Sequence, residues 1–152
     1  MADSHYDVVE VAVQSRLVAG VQARVARGRI ARAFGPHLDQ VYAAATTGAV
    51  TLDGQNIFIY RDGDAEHLLV DFCVGATAPF PGVGRVVPLH TPSGVAAMTT
   101  HRGDYGALGP AHAAILAWCR AQGRPTAGVS WEVYGHWHEN PAQLRTDVYY
   151  LL

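Results

Sequence analysis

The segment Val129–Gly135 (VSWEVYG) alternates in the manner of a β-strand, and Ile57–Tyr60 (IFIY) resembles it about 74 residues earlier in the chain. Side chains alternate across a sheet with a period of two. We therefore expect the odd-numbered residues of both segments to pack beneath helices and the even-numbered residues to line the opposite surface. The even-numbered residues are Asn56, Phe58, Tyr60, Ser130, Glu132 and Tyr134.

Short matches elsewhere in the chain keep the same order and an offset of 74 to 75 residues. They pair Ala19–Val21 with Ser93–Val95, Arg27-Gly28 with Arg102-Gly103, and Gly35-Pro36 with Gly109-Pro110. Each match is weak alone, but the constant offset predicts two copies of one unit. We place the first copy at about 8–75, a linker at about 76–84 and the second copy at about 85–152, within a single domain spanning 1–152.

Each copy is predicted to form a strand, a helix and two further strands. In the first copy these are Leu17–Val25, a helix with an apolar face of Leu38, Val41, Tyr42 and Ala45, then Asn56–Tyr60 and His67–Val74. In the second they are Val95–Thr100, a helix from Pro110 to Gly123, then Val129–Gly135 and Thr146–Leu151. Short strands at Val8–Val13 and Arg85–Leu89 precede the copies. We thus predict an α+β fold of duplicated strand-helix-strand-strand units with pseudo-two-fold symmetry, antiparallel sheets and a groove between the halves.

Glu132 is the one carboxylate among the even-numbered residues of these strands. A carboxylate surrounded by rings is poorly solvated, so we expect burial to raise its pKa and make it a proton donor or acceptor. If ionised, it and the ring faces would favour a cationic or electron-poor lipophilic ligand. The alternative is a glutamate that faces water on a half-exposed strand.

Composition excludes several classes of protein. The chain is 49% hydrophobic and 16% charged, as globular domains are, and its net charge of -2 predicts no direct nucleic-acid binding. An N-terminus without a signal-peptide pattern and the lack of a membrane-length apolar stretch predict a cytoplasmic protein without membrane contact. Cys73 and Cys119 suit buried thiols in a reducing compartment. No phosphate loop or dinucleotide fingerprint is present, so we expect no cofactor.

The histidines offer a metal-site hypothesis that the pattern does not favour. His136-x-His138 would continue on the Glu132 face if the strand extended that far, and two imidazoles with a carboxylate can bind zinc or iron. Gly135 and a nearby turn place them off the strand, so we expect no metal site. Trp137 is expected to be either a flap over the groove or a core residue. We expect the remaining histidines to be structural or exposed: His37, His67, His90, His101 and His112.

The order of Gly103-x-Tyr105, a helix, Glu132-x-Tyr134 and a final Thr146–Tyr149 resembles the GyrI-like family over nearly the whole chain. Its relatives include the effector-binding domains of AraC-type and MerR-type multidrug regulators. The resemblance implies a hydrophobic groove in which Glu132 contacts the ligand and Tyr105 stands at the wall. The usual Thr-Glu-Ile-Tyr ending is Thr-Asp-Val-Tyr here, with the shorter Asp147 in place of the glutamate. Fewer than ten residues precede the first predicted strand, so we expect a stand-alone module without a helix-turn-helix domain.

Three functions are compatible with this sequence. The first is a stand-alone protein that binds a hydrophobic, aromatic or cationic small molecule. The second is a hydrolase of strained, cyclopropane-bearing natural products, in which Glu132 would be the general acid or base and Tyr105 would assist. The third is binding of a protein partner, such as inhibition of a topoisomerase. The expected ligand-binding residues are Glu132, Tyr134, Phe58, Tyr60, Asn56, Tyr105, Trp137 and Tyr149.

Overall fold

The computed structural model describes residues 5–152 and has two α-helices and eight strands there. The helices are α1 (Ile30–Thr46) and α2 (Gly109–Gln122). The strands are β1 (Val9–Val13), β2 (Leu17–Ala26), β3 (Leu52–Arg61), β4 (His67–Ala76), β5 (Val87–His90), β6 (Gly94–Arg102), β7 (Val129–Tyr134) and β8 (Arg145–Leu151). This confirms the predicted α+β fold. Within the described residues no helix is both long enough and apolar enough to cross a membrane.

The strands form one antiparallel sheet in the order β1-β6-β8-β7-β3-β4-β2-β5. Replacing each strand with its counterpart in the other copy reverses this order, so a pseudo-two-fold axis passes between β3 and β7. The register places the axis closely. Phe58 pairs with Glu132, its own repeat counterpart. On either side of that pair, Ile57 pairs with Val133 and Ile59 pairs with Trp131, so each isoleucine pairs with the counterpart of the other. The repeat in the sequence is therefore a symmetry of the sheet.

Each of the two short strands precedes one copy in the chain but joins the half of the sheet that the other copy forms. β1 precedes the first copy but pairs with β6 of the second. β5 precedes the second copy but pairs with β2 of the first. Each copy thus completes the sheet edge of the other, which ties the halves together through both outer strands as well as through the central β3–β7 pair.

The expectation that the even-numbered residues lie opposite the helices is wrong. α1 packs mainly on β2 and β4, and α2 mainly on β6 and β8. Phe58 shares a buried cluster with Leu38 and Val41 of α1, while Val148 shares one with Ile115 of α2. The helices therefore flank the face that carries Glu132, and between them they leave the central strands β3 and β7 uncovered.

The opposite face of the sheet forms a core whose members, among the described residues, all come from strands. Ile57, Ile59 and Cys73 are fully buried there, and Trp131 joins them in a cluster that reaches Leu89 at one edge of the sheet. The same cluster includes Val11 and Val13 from the other edge. Because no helix covers these residues, the sheet must curve so that its own strands exclude water. That curvature is the physical reason for the reversed faces: large apolar side chains can be buried inside a bent sheet as well as beneath a helix.

The helix boundaries follow local sequence rules more closely at the second copy than at the first. α2 has Pro110 in its first turn and ends at Gly123, whose φ of 65° is in the left-handed region that glycine adopts readily. α1 begins at Ile30, earlier than its predicted apolar face, and continues through Pro36. Tyr42 is exposed rather than part of the buried stripe, and its hydroxyl donates to Asn56 Oδ1 at 2.6 Å.

Replacement of Ile59 by alanine should destabilise the protein by about 2–5 kcal/mol, because Ile59 is fully buried and its truncation leaves a cavity in the core. Urea unfolding measures the change in free energy. Leu69→Ala is the control on the neighbouring strand, since Leu69 is 44% exposed and should lose about 0.5 kcal/mol or less. Equal losses in the two variants would contradict a buried core on this face.

Candidate functional site

A pocket of about 890 Å³ lies between α1 and α2, with the uncovered strands β3 and β7 as its floor. Its apolar lining residues include Phe34, Leu38 and Phe58 of the first half of the chain. Its polar lining residues include His112 and Glu132 of the second half. The gap between the helices and the pairing of the central strands together produce this cavity.

The strand register arranges much of the floor in rows that run across the sheet. Glu132 lies in the middle row, paired with Phe58 on one side and Val148 on the other. Tyr60 and Tyr150 flank Ser130 in the next row. Because neighbouring and diagonal side chains on one face of a sheet lie within reach of long side chains, the rings surround the carboxylate.

Glu132 is 4% exposed, and three side-chain donors hold its carboxylate. The hydroxyls of Tyr60 and Tyr134 each donate to Oε1 at 2.5 Å. His112 Nε2 donates to Oε2 at 2.6 Å. These donors come from β3, β7 and α2, so the carboxylate joins both halves of the sheet to one helix.

The pKa of Glu132 is lowered, not raised as the sequence suggests. Burial does act to raise the pKa, but the hydrogen bond and charge of His112, together with the hydroxyls of Tyr134 and Tyr60, outweigh burial. The expectation failed because it counted the loss of water around the carboxylate and not the donors that replace the water. Glu132 is therefore an anion at neutral pH.

The two tyrosines that donate to Glu132 remain protonated well above neutral pH. Burial and the nearby carboxylate raise the pKa of both Tyr60 and Tyr134 far above the usual value. Each hydroxyl is thus a permanent donor to Oε1. Two such donors leave the carboxylate ionised while keeping it out of bulk water.

His112 belongs to the site although it was expected to be structural or exposed. It lies on the pocket side of α2, one residue after the buried Ala111, and its Nδ1 is 2.8 Å from the Tyr150 hydroxyl. His112 shares no regular spacing with the other histidines. The usable signal was its position four residues after Leu108 and three before Ile115, which puts an imidazole at the edge of an apolar helix face.

Most of the residues predicted to bind a ligand line this one pocket. They are Asn56, Phe58, Tyr60, Tyr105, Glu132, Tyr134 and Trp137. The Tyr105 ring stands edge-on to Tyr134 with ring centroids 5.2 Å apart, and burial raises its pKa. Trp137 is 70% exposed at the pocket mouth, which excludes the core alternative.

Tyr149 does not line the pocket. Its ring stacks on Trp131 on the opposite face of the sheet, with centroids 5.0 Å apart and planes 6° apart. The alternation of β8 places Thr146, Val148 and Tyr150 on the pocket face instead. The family-derived expectation therefore selected the wrong member of the pair, and Tyr150 is the tyrosine of β8 that reaches the pocket.

His136 and His138 lie beyond the end of β7, as the glycine at 135 suggested, and both are exposed. His136 lines the pocket rim, whereas His138 is not among the lining residues. Over residues 5–152, no group of three or more histidine, cysteine, aspartate or glutamate side chains is arranged to hold a metal ion. Cys73 and Cys119 are buried free thiols.

The lowered pKa of Glu132 predicts a pH dependence of stability. Ionised Glu132 stabilises the fold fully above its ordinary pKa of 4.5, and this contribution is lost as the pH falls through the lower folded-state value. Urea unfolding between pH 3 and 7 measures the free energy of unfolding of the wild type and of Glu132→Gln. The free energy of the wild type relative to the variant should decrease below about pH 4.5. Exposed Glu139→Gln is the control. A constant difference across this range would contradict the assigned direction.

A family model described as the GyrI-like small molecule binding domain matches residues 7–152. Comparison with curated protein sequences finds no significant match.

Several solved structures share the fold at low sequence identity. The C-terminal domain of EcmrR is 17% identical, with a TM-score of 0.80 and coverage of 96% of each chain. The longer EcmrR chain in a complex with DNA is 18% identical, with a TM-score of 0.78; the match covers 95% of this chain and 56% of that one. SAV2435 bound to tetraphenylphosphonium is 10% identical, with a TM-score of 0.64 and coverage of 96% and 92%. A hydrolase from Listeria innocua is 12% identical, with a TM-score of 0.60 and coverage of 94% and 90%.

Proposed function

Because this chain belongs to the GyrI-like family of small-molecule-binding domains, we propose that its pocket binds a lipophilic cation with aromatic or other apolar substituents. One observation carries the proposal: an ionised, buried carboxylate lies at the floor of a pocket lined by rings. A buried anion in such a place attracts positive charge more strongly than an exposed one, because the surrounding protein screens it less than water does.

The dimensions and lining of the pocket suit this class of ligand. Its volume of about 890 Å³ falls in the range that holds drug-sized molecules, about 300–1,000 Å³. The faces of Phe34, Phe58 and Tyr105 offer apolar contact, and aromatic faces also attract cations. We expect the apolar body of the ligand to lie toward α1 and its charge toward Glu132.

Tetraphenylphosphonium is a suitable probe, because its charge is permanent and its four rings are apolar. SAV2435, which shares the fold, has been solved with this cation bound. A probe that cannot gain or lose a proton makes the charge of the protein the sole variable in a titration.

Glu132→Gln should weaken tetraphenylphosphonium binding at least about tenfold, or about 1.4 kcal/mol, because the amide keeps the size of the side chain and removes its charge. Isothermal titration calorimetry at neutral pH measures the affinity. Glu139→Gln removes an exposed carboxylate outside the pocket and should bind like the wild type. Triphenylphosphine oxide, which is uncharged, should be affected little by Glu132→Gln. Equal loss for both ligands would show that the variant disrupts the pocket rather than its charge.

A hydrolase is the second candidate function, and the acceptor site that Glu132 keeps beyond its three hydrogen bonds favours it. A carboxylate has about four lone-pair sites, of which three accept the hydrogen bonds described above. The remaining site could orient a water against an electrophile held in the pocket, with Glu132 as general base. Small-molecule binding ranks above hydrolysis, because binding requires only the pocket, whereas hydrolysis also requires a positioned water. Turnover of a cyclopropane-bearing electrophile that is lost in Glu132→Gln, while triphenylphosphine oxide still binds, would assign the hydrolase.

A further inference from the structure

Of the three donors to Glu132, His112 alone can carry a positive charge. Its Nε2 lies 2.6 Å from Oε2, a short contact typical of charge-assisted hydrogen bonds. Its Nδ1 lies 2.8 Å from the hydroxyl of Tyr150. Both nitrogens of the ring are therefore engaged, one by an anion and the other by a group that can donate or accept.

The ring fits this position in two protonation states. As an imidazolium, His112 donates through Nε2 to Glu132 and through Nδ1 to the Tyr150 oxygen. As a neutral imidazole, it keeps the Nε2 donor, and Nδ1 accepts from the Tyr150 hydroxyl. Rotation of one hydroxyl is the only rearrangement required, so the Nδ1 proton can leave or return while both contacts are kept.

The charge of His112 depends on the charged and titratable groups that surround its ring. Glu132 on β7, Tyr150 on β8 and Tyr60 on β3 face the ring. The other charged or titratable groups of the pocket wall are Arg27, Arg61, Asp62, His136, Tyr105 and Tyr134. Arg61 is paired with Asp71 at 3.1 Å, and Arg27 donates to the backbone oxygen of Asp64. The arginines are thus engaged away from the carboxylate.

We propose that His112 is a specificity-determining residue that serves as an exchangeable counter-ion of Glu132, so that a cationic ligand binds in exchange for the Nδ1 proton. This inference rests on the proposed function. A ligand cation beside Glu132 would lie close to the imidazolium in a medium that screens poorly, and the repulsion is removed when the proton leaves. The side chain of His112 is 22% exposed, which gives the proton a route to solvent. An uncharged ligand of similar shape imposes no such repulsion and binds without proton release.

The exchange makes the preference of the pocket between cationic and uncharged ligands depend on pH. When His112 is charged, it balances the negative charge of Glu132, and an uncharged ligand is favoured over a cation. When His112 is neutral, the carboxylate is free to attract a cation. Because the pKa of Glu132 is lowered from 4.5, the carboxylate stays ionised above about pH 5 and does not itself produce the change.

Calorimetric titration with tetraphenylphosphonium from pH 5 to 8, the range in which histidines change charge, tests the exchange. Each pH is measured in two buffers of different ionisation enthalpy, which gives the number of protons released. Where release approaches one proton, we expect the affinity to rise with pH by up to about tenfold per pH unit. Triphenylphosphine oxide should release none and bind with equal affinity throughout.

His112→Gln should bind tetraphenylphosphonium without proton release and independently of pH, because glutamine supplies an N–H donor but no charge. His90→Gln, an exposed position at the sheet edge, is the matched control and should keep the wild-type linkage. Loss of the pH dependence in His136→Gln but not in His112→Gln would assign the effect to the pocket rim and overturn the proposal.

The NMR signals of the His112 ring provide a measurement that needs no variant. In the wild type at acidic pH, addition of tetraphenylphosphonium should convert the ring from the charged to the neutral form. Binding without proton release and with an unchanged ring would overturn the exchange and leave the proposed function intact. Absence of tetraphenylphosphonium binding at every pH would overturn both.

Discussion

The burial of the Glu132 carboxylate is the constraint on which the site depends. A charge removed from water is costly unless donors replace the water, and here three donors from three elements converge on one side chain. They can meet only if β3 pairs with β7 in the observed register and α2 lies beside that pair. The geometry that satisfies the carboxylate is therefore the geometry that joins the two halves.

Duplication explains both the symmetry of this arrangement and its polarity. Tyr60 and Tyr134 are repeat counterparts, and both donate to the same oxygen on either side of the pseudo-two-fold axis. The axis otherwise relates unlike residues: Phe58 corresponds to Glu132, and Leu38 of α1 corresponds to His112 of α2. A symmetric scaffold thus carries unlike side chains at equivalent positions, with an apolar residue in the first half where the second half has His112 or Glu132.

The curvature of the sheet leaves this pocket open. A flat sheet would need cover on both faces, whereas the bent sheet buries Ile57, Ile59 and Trp131 within its own curve. The two helices are then free to flank the other face without meeting across its centre. Exchange of β1 and β5 between the halves extends the sheet at both edges, and β1, β5 and the central strands all contribute to that inner core.

The repeat, the order of the elements and the shared face of Phe58, Tyr60, Glu132 and Tyr134 could all be predicted from the sequence, because they depend on local periodicity. Which face the helices flank depends on the packing of the whole chain, since an apolar surface can be buried by a helix or by a curved sheet. The same packing also decided that Tyr150 rather than Tyr149 reaches the pocket, and that His112 completes the site. The direction of the Glu132 pKa follows from the same cause. A shift in pKa depends on which donors lie within about 3 Å, and those donors are up to 72 residues away in the chain.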